Sequence, residues 1–247
     1  MYRQARNVYW RFHKPELYAI ARSDRERLRR FVPEGSLAFD IGANVGDVTA
    51  LLLDIGARVV AVEPNRQLAD LVQRRHRVAV EAVALGAREG EGTLHLGHDP
   101  GHSTLSEEWR GLHPDWYAET VSVLVTTLDR LIARYGIPRF VRIDVEGYEA
   151  SVLQGLSEPL EALSFAFQRP LPEVTRECAA RLMELGAYRF QFVKNHGHGA
   201  TSELMPDQPQ EFEDIAPLLE RLEDSDAFGD VYAVRQPTPL RAMRAAS

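Results

Sequence analysis

The stretch FDIGANVGDVTA, Phe39 to Ala50, decides the fold, because an apolar run ends in an acid and two glycines before helical spacing begins. A strand, a glycine turn and a helix N-terminus bring backbone N–H groups close to a ligand, since glycine has no Cβ and tolerates positive φ. The dinucleotide fingerprint G-x-G-x-x-G is incomplete here, because Asn44 stands between Gly42 and Gly46. Asparagine is the best non-glycine residue for left-handed backbone, so we expect the turn to be kept.

Two carboxylates accompany this turn. Asp40 lies at the end of the first strand, where it would repel a pyrophosphate and attract a ligand that carries an ammonium group. Glu63 closes the second strand, where a carboxylate can accept hydrogen bonds from both ribose hydroxyls. Each residue also has a purely structural explanation: Asp40 or Asn44 could cap the following helix, and Glu63 could be an exposed strand end. Together they describe a site for S-adenosylmethionine better than a site for NAD.

Strands and helices alternate along most of the chain. The expected strands of this repeat are 36–41, 58–63, 78–84, 139–145 and 163–167. Alternation at this spacing indicates βαβ units, and hence an α/β fold with a parallel sheet covered on both faces. Residues 93–97 and 121–128 are expected to form an additional pair of strands around a long polar loop. The last two strands, 188–193 and 230–234, need not both be parallel to the others.

The composition of the chain argues against several classes of protein, among them nucleic-acid-binding and membrane-spanning proteins. The chain has 247 residues and a formal charge of −7, which argues against general binding to nucleic acid or anionic lipid. The single cysteine, Cys178, cannot form an internal disulfide, so a reducing, cytoplasmic setting is expected. The basic, aromatic N-terminal region contains no uninterrupted apolar segment, so we expect neither a signal peptide nor a membrane span.

Three segments are expected along the chain. These are a helical N-terminal extension (1–32), a single domain (33–236) and a flexible tail (237–247). The extension mixes basic and aromatic residues, and we expect it to pack on the domain or on a second subunit in a homo-oligomer. Contact with RNA or a membrane remains the alternative.

A second acidic motif, VRIDVEGYEASVLQG, covers residues 141–155. It places Asp144 at the carboxyl end of a strand, followed by Glu146 and Glu149 at a helix start. Ligands of open parallel sheets bind beyond the carboxyl ends of the strands, at the point where the strand order reverses. We therefore expect Asp144 and Asp40 to face the same crevice, with Glu149 serving to complement the helix N-terminus.

With both motifs, the sequence resembles the FkbM family of S-adenosylmethionine-dependent methyltransferases. The resemblance covers about residues 36–235. Its matching elements are DIGANVGDVT (40–49), VAVEP (60–64), ALG (84–86), HST (102–104), TLD (127–129), IDVEGYEASVLQG (143–155) and DVYAV (230–234). It implies a Rossmann-like class I methyltransferase fold: a mostly parallel sheet of about seven strands, with an antiparallel last strand and an extra β-hairpin after strand 3. It also implies methyl transfer to a hydroxyl on a glycan, polyketide or other small natural product, with S-adenosylmethionine as the cofactor.

The resemblance also implies roles for individual residues. The methionine part of the cofactor would be held by Asp40, Gly42, Asn44 and Gly46. Glu63 would hold the ribose, Val83 and Ala84 would lie near the adenine, and Asp144 and Glu146 would border the methyl group. The sequence departs from the family at two positions: Arg142 stands where Lys is common, and Gln168 where Glu is expected.

Asp144 is the leading candidate to orient or deprotonate the acceptor hydroxyl, and a role limited to holding the cofactor is equally compatible with the sequence. His102 is the second candidate base, because imidazole titrates near neutral pH, although it could equally be a solvent-facing loop residue. No metal is expected, because the histidines that could serve as ligands are loosely spaced and have no cysteine partner. The histidines considered as ligands are His95, His98, His102, His196 and His198.

Two other functions remain open from the residues alone. An NAD-linked oxidoreductase would share the fold, but it would normally need the missing middle glycine. A non-catalytic nucleoside-binding or scaffold protein on the same fold is conceivable because of Gln168. The interpretation favoured by the sequence is an O-methyltransferase.

Overall fold

A computed structural model describes residues 13–99, 102–168, 170–194, 213–223 and 228–237. Residues 1–12 of the expected extension and 238–247 of the expected tail lie outside the described residues, as do His196 and His198.

Helices and strands alternate through much of the described chain. The helices are α1 (Pro15–Leu28), α2 (Asp47–Asp54), α3 (Arg66–His76), α4 (Glu107–Leu112), α5 (Leu128–Tyr135), α6 (Glu149–Gln154), α7 (Pro172–Leu185) and α8 (Ile215–Glu223), with a 3₁₀ turn at Pro114–Trp116. The strands are β1 (Leu37–Ile41), β2 (Arg58–Val62), β3 (Ala79–Glu81), β4 (Ala84–Leu85), β5 (Gly90–Gly97), β6 (Tyr117–Thr126), β7 (Phe140–Ile143), β8 (Ala162–Gln168), β9 (Tyr188–Lys194) and β10 (Phe228–Arg235).

Seven of the strands form one sheet, in the order β3-β2-β1-β7-β8-β10-β9. β1 pairs in parallel with β2 on one side and with β7 on the other, so the strand order reverses at β1. The last strand, β10, runs antiparallel to both of its neighbours, β8 and β9. The expected sheet, mostly parallel with an antiparallel last strand, is confirmed. Its topological switch point lies at the carboxyl ends of β1 and β7, where open α/β sheets bind their ligands.

A second, three-stranded sheet contains the expected hairpin. β5 and β6 pair antiparallel, and the short strand β4 pairs in parallel with β6. The single strand expected at 78–84 is instead divided between the two sheets: β3 is at the edge of the large sheet, and β4 belongs to the small one. The chain therefore leaves the large sheet at Ala82 and Val83, directly beside the switch point.

The two faces of the large sheet are covered by different helices. One face carries a large, mainly apolar cluster that includes Phe39, Ile143 and Phe165 and is covered by α5, α6, α7 and α8. The other face packs against α1 and α2. Side chains of successive strand residues point to opposite faces, so each central strand contributes to both clusters. Full burial of one large apolar side chain stabilises the fold by roughly 1.5–3 kcal/mol.

Helix α1 is the described part of the expected N-terminal extension. Its residues Ala21 and Leu28 are buried against the sheet. Just beyond it, Phe31 stacks on Phe140 of β7 and Tyr232 of β10, with ring centroids 5.8 and 5.4 Å apart. The division into extension, domain and tail remains a prediction. In the described ranges, no helix has the length and apolar character needed to cross a membrane.

Candidate cofactor pocket and methyl-transfer site

The glycine turn between β1 and α2 adopts the left-handed backbone that its sequence suggested. Gly42 has a φ of +78°, Asn44 of +50° and Gly46 of +87°. A Cβ at Gly42 would lie 1.8 Å from the carbonyl oxygen of Asp144, so any side chain there would collide with the backbone of the second motif. A Cβ at Gly46 would lie 2.8 Å from Nε2 of His76. Glycine at 42 therefore allows the two motifs to approach each other at the switch point.

A cleft opens at this edge of the sheet and brings residues of both motifs together. The expected site residues that line it are Gly42, Asn44, Glu63, Val83, Ala84, Asp144 and Glu146. Asp40, Gly46 and His102 are not part of the lining. Leu94, Ser103, Leu105 and Tyr148 are among the other lining residues, and none of them was expected from the sequence. The first three belong to the hairpin and its loop, whose position over the cleft no local sequence pattern indicates.

Glu63 lies at the end of β2 and is 5% exposed. Its Oε2 accepts a hydrogen bond from the backbone N–H of Asn44 at 2.8 Å, and its Oε1 accepts one from that of Asn65 at 2.9 Å. Burial raises its pKa to about 7, against the opposing effect of these two bonds. Each oxygen of a carboxylate can accept two hydrogen bonds, so Glu63 keeps one position per oxygen for a ligand that donates two hydroxyls.

Asp40 lies beneath the cleft rather than in its wall. Its side chain is 0% exposed, and its Oδ2 accepts a hydrogen bond from the hydroxyl of Thr49 on α2 at 2.6 Å. Its Oδ1 lies 3.5 Å from a guanidinium nitrogen of Arg142. Burial raises the pKa of Asp40, while the positive charge of Arg142 opposes this shift. Both of these partners lie in the layer below the cleft, and the expected contact between Asp40 and an ammonium group stays a prediction.

Asp144 lines the cleft at the end of β7 and forms an ion pair with Arg142. Its side chain is 28% exposed, so one part of the carboxylate faces the cleft while the other contacts the guanidinium. The backbone N–H of Asp144 donates to the carbonyl oxygen of Ile41 at 3.0 Å, which aligns the ends of β7 and β1. Asp40 and Asp144 therefore contact the same arginine from two strands, although only Asp144 borders the cleft.

Glu146 occupies a strained turn beside Asp144, with a φ of +55°. Its Oε2 accepts a hydrogen bond from the side-chain amide of Gln168 at 2.7 Å. The hydroxyl of Thr104 donates to its carbonyl oxygen at 2.7 Å, which ties the loop after β5 to this turn. Burial, and then the negative charges of Asp144 and Glu149, raise the pKa of Glu146 to about 9.

Glu149 stabilises the same turn from the start of α6. Its side chain is buried, and its Oε1 accepts hydrogen bonds from the backbone N–H groups of Val145 at 3.0 Å and Gly147 at 3.3 Å. This is the complement to the helix N-terminus that its position in the sequence suggested.

His102 lies in the loop over the cleft, but its ring faces an aromatic cluster. The ring packs at a tilt against Trp116 with centroids 4.6 Å apart, and Trp116 stacks in turn on His113 at 4.0 Å. The hydroxyl of Tyr117 donates to the carbonyl oxygen of His102 at 2.8 Å. Its neighbour Ser103 reaches the lining instead. The structure thus favours packing within the loop for this ring, and its role as a base remains a prediction.

One of the histidines considered as a metal ligand, His95, has a carboxylate partner instead. His95 is buried, and its Nε2 lies 2.9 Å from the carboxylate of Glu107. Within the parts of the chain that the structure describes, no three His, Cys, Asp or Glu side chains are grouped so that they could hold a metal ion.

The charge of the cleft fits a cationic nucleoside. Among the described residues that line it, three are acids (Glu63, Asp144 and Glu146) and none is basic. Such a lining would repel a pyrophosphate and attract a sulfonium or ammonium group. Val83 and Ala84 add an apolar wall suited to a purine, and the free positions on Glu63 suit a ribose. The residues present therefore fit S-adenosylmethionine better than a dinucleotide.

The sheet order, the antiparallel last strand and this acidic cleft define a class I methyltransferase fold. Residues 40–222 match the family model described as the Methyltransferase FkbM domain. This match covers most of the chain. The chain therefore belongs to the FkbM family of methyltransferases, whose methyl donor is S-adenosylmethionine, as its sequence motifs predicted.

Similar proteins include the hexuronic acid methyltransferase AglP of Haloferax volcanii, with 24% identity over 135 residues. The alignment covers 53% of this chain and 54% of AglP, so the chain spans about half the length of that relative. Among solved structures, a precorrin-6y C5,15-methyltransferase from Geobacter metallireducens aligns over 89% of this chain and 88% of its own, with 12% identity and a TM-score of 0.45. A SAM-dependent O-methyltransferase from Thermotoga maritima aligns over 88% of this chain and 66% of its own, with 13% identity and a TM-score of 0.41.

Proposed function

We propose that this protein is an O-methyltransferase that moves the methyl group of S-adenosylmethionine to a hydroxyl on a small molecule, a glycan or another natural product. The observation that supports this most is the acidic lining of the cleft at the switch point, beside a glycine turn with left-handed backbone. The family to which the chain belongs supports methyl transfer. The name of the relative AglP, a hexuronic acid methyltransferase, supports an acceptor that carries sugar hydroxyls.

Different parts of the cleft would hold the two ends of the cofactor. Glu63 would accept hydrogen bonds from the ribose hydroxyls, and such charge-assisted bonds contribute about 1.5–3 kcal/mol each. Val83 and Ala84 would pack against the adenine. Backbone groups of Gly42 and Asn44 would hold the methionine part.

Two further residues would support this turn without lining the cleft. Gly46 begins α2 with a left-handed φ and thereby sets the direction in which the turn enters the helix. Asp40 would act on the ammonium end through its negative charge, because its carboxylate is committed to Thr49 and Arg142 below the cleft. Its expected direct contact with the cofactor thus becomes a longer-range electrostatic role.

Catalysis would depend mainly on alignment. When bound, S-adenosylmethionine supplies an electrophilic methyl group on a positively charged sulfur. Asp144 and Glu146 would orient the acceptor hydroxyl so that its oxygen lies on the extension of the sulfur–methyl bond, on the side of the methyl carbon opposite the sulfur. Correct alignment of this kind can lower a barrier by about 7–11 kcal/mol.

Removal of the hydroxyl proton requires a base close to the acceptor. Asp144 is the first candidate because its carboxylate is partly exposed to the cleft and ionically paired on its other side. Glu146 is the second, since a nearby positive charge would lower its raised pKa and release its proton. His102 is the third, although its ring packs at a tilt against Trp116. A positioned base typically contributes about 10²–10⁴-fold in rate.

The proposal also covers the cellular location of the protein, its metal requirement and its partners. The one cysteine, Cys178, is buried and free, which is compatible with a cytoplasmic location. We propose no metal requirement and no nucleic-acid substrate, given the net charge of −7. Helix α1 and the residues before it are the segment through which a homo-oligomer would form.

Detection of S-adenosylhomocysteine after incubation with S-adenosylmethionine and a panel of hexose and hexuronic acid glycosides tests this function. We expect product with at least one hydroxylated acceptor, and intact mass spectrometry should show one added methyl group. Glu63→Ala should abolish measurable methyl-donor binding, whereas the exposed Glu173→Gln should leave it unchanged. If the unaltered protein does not bind S-adenosylmethionine, the proposal is wrong.

A further inference from the structure

A row of polar residues crosses one face of the large sheet beneath the cleft. Asp40 of β1 is in register with Arg142 of β7, which is in register with Ser164 of β8, and Ser164 is in register with Tyr232 of β10. Side chains of in-register neighbours on adjacent strands point to the same face. This is the face that α1 and α2 cover, so Arg142, whose side chain is 17% exposed, lies in a layer that also contains many apolar side chains.

Arg142 contacts three separate parts of the pocket. One of its guanidinium nitrogens donates to the carbonyl oxygen of Gly42 at 3.2 Å and lies 3.5 Å from Oδ1 of Asp40. The other terminal nitrogen is hydrogen-bonded to Oδ2 of Asp144. One side chain therefore joins the end of β1, the first residue of the glycine turn and the acid at the end of β7.

Helix α1 adds charges to the same layer. Its Arg27 donates to the carboxylate of Asp24 at 2.9 Å. Burial raises the pKa of Asp24, and the positive charges of Arg27 and then Arg142 oppose that shift, so Asp24 and Arg142 are close enough to interact. Because α1 precedes the matched family region, this part of the polar layer lies outside the family model.

We propose that Arg142 is a positioning residue for the cofactor pocket, whose guanidinium fixes the Asp144 carboxylate and the Gly42 carbonyl in one geometry. Arg142 does not line the cleft, so it acts through these groups and does not touch the ligand. A planar guanidinium offers five donors in fixed directions, whereas an ammonium group is a single point charge on a flexible stem. The guanidinium can hold both oxygen groups in fixed directions while it also lies close to the Asp40 carboxylate. The proposal rests on the assignment of the cleft to S-adenosylmethionine.

The first experiment measures S-adenosylhomocysteine binding by isothermal titration for the unaltered protein, Arg142→Lys and Arg142→Met. We expect about a 5- to 10-fold loss of affinity for Arg142→Lys, which keeps the charge, and a loss of about 50-fold or more for Arg142→Met. The matched control is Arg139→Met, an exposed arginine close by in sequence whose partner is Glu161, and its affinity should be unchanged. If Arg142→Met fails to fold, the Arg142→Lys result alone decides: affinity equal to that of the unaltered protein overturns the proposal.

The second experiment asks whether Arg142 acts through Asp144. Arg142→Lys is combined with Asp144→Asn, and ligand affinity is compared across the four proteins of the cycle. We expect Arg142→Lys to reduce affinity by a smaller factor in the Asp144→Asn background than in the unaltered protein, because one of the two groups that Arg142 positions is gone. If the two losses multiply, Arg142 has only a structural role and the proposal is wrong. If the unaltered protein binds no S-adenosylhomocysteine, the assignment of the cleft itself fails, which is a distinguishable outcome.

Discussion

The two faces of the large sheet differ in the polarity of the side chains that the helices cover. One face, covered by α5 to α8, is filled with side chains such as Phe165 and Ile143, and the described members of its cluster include no Asp, Glu, Lys or Arg. The other face, under α1 and α2, contains Asp40 and Arg142 at the same register position. Apolar burial needs no particular partner, whereas a buried charge must be paired and hydrogen-bonded.

This difference between the two faces predicts different effects of substitutions on stability and on ligand binding. Strands β1 and β7 contribute to both faces, and beyond their carboxyl ends lies the cleft. The polar face lies directly below the glycine turn, so its ion pairs determine where Gly42 and Asp144 stand. The apolar face also reaches the cleft, through Ile41, Val62 and Leu85, but Phe165 and Ile143 of that face are not part of the lining. Substitutions on the apolar face away from the lining should therefore mainly change the free energy of unfolding, and substitutions on the polar face should also change ligand binding.

Phe165→Ala tests the apolar face and should have the largest effect on stability. Phe165 is fully buried, and truncation of a buried phenylalanine costs about 3–5 kcal/mol through lost burial and a cavity. Urea unfolding should show this loss, while the affinity of the folded protein for S-adenosylhomocysteine should stay within about threefold. The matched control is Ser164→Ala, the preceding residue of β8, which points to the polar face and should cost only about 1 kcal/mol. Equal losses for the two variants would contradict the comparison.

The pH dependence of stability tests the acids at the carboxyl edge. The pKa of Glu63 is raised from an ordinary 4.5 to about 7, so the folded state binds more protons than the unfolded state between these values. Stability should therefore be highest at low pH within this window and fall as the pH rises through it, by about 3 kcal/mol for this residue.

The measurement is urea unfolding at pH 5 and pH 8, for the unaltered protein and for Glu63→Gln. The glutamine variant should lose less stability between the two pH values, because it has no carboxyl group to ionise at this position. A difference of the same size in both proteins would show that Glu63 is not the group responsible.

Arg139→Met should have the smallest effect. Its ion pair with Glu161 is exposed on both sides, and exposed pairs contribute about 0–1 kcal/mol. Thermal unfolding should change little, and added salt should remove what difference there is. A loss of several kcal/mol would mean that surface charges matter as much here as the buried pairs of the polar face.

Much of the fold could be predicted from the sequence, because strand and helix signals are local. The glycine turn, the alternation of elements and the hairpin all follow from residue type and spacing. The division of the strand expected at 78–84 could not be predicted, since an apolar run does not reveal which of two sheets each residue joins. The small sheet is formed by pairing with β6, more than thirty residues further along the chain.

The candidate site, like the fold, could be predicted only in part from the sequence. The residues at the strand ends were predicted to lie together because carboxyl ends of parallel strands share one edge, and the cleft contains Glu63, Asp144 and Glu146. Asp40 was expected in the cleft, but its side chain points into the layer below, where Arg142 is its partner across the sheet. Arg142 was noted only as a departure from the family. Its contacts depend on register between distant strands, which the sequence does not display.

The most direct measurement is a crystal structure of the protein with S-adenosylhomocysteine. Our account predicts the ribose hydroxyls on the carboxylate of Glu63, the adenine beside Val83 and Ala84, and the sulfur near Asp144 and Glu146. A ligand bound elsewhere, or a ribose that does not contact Glu63, would contradict it.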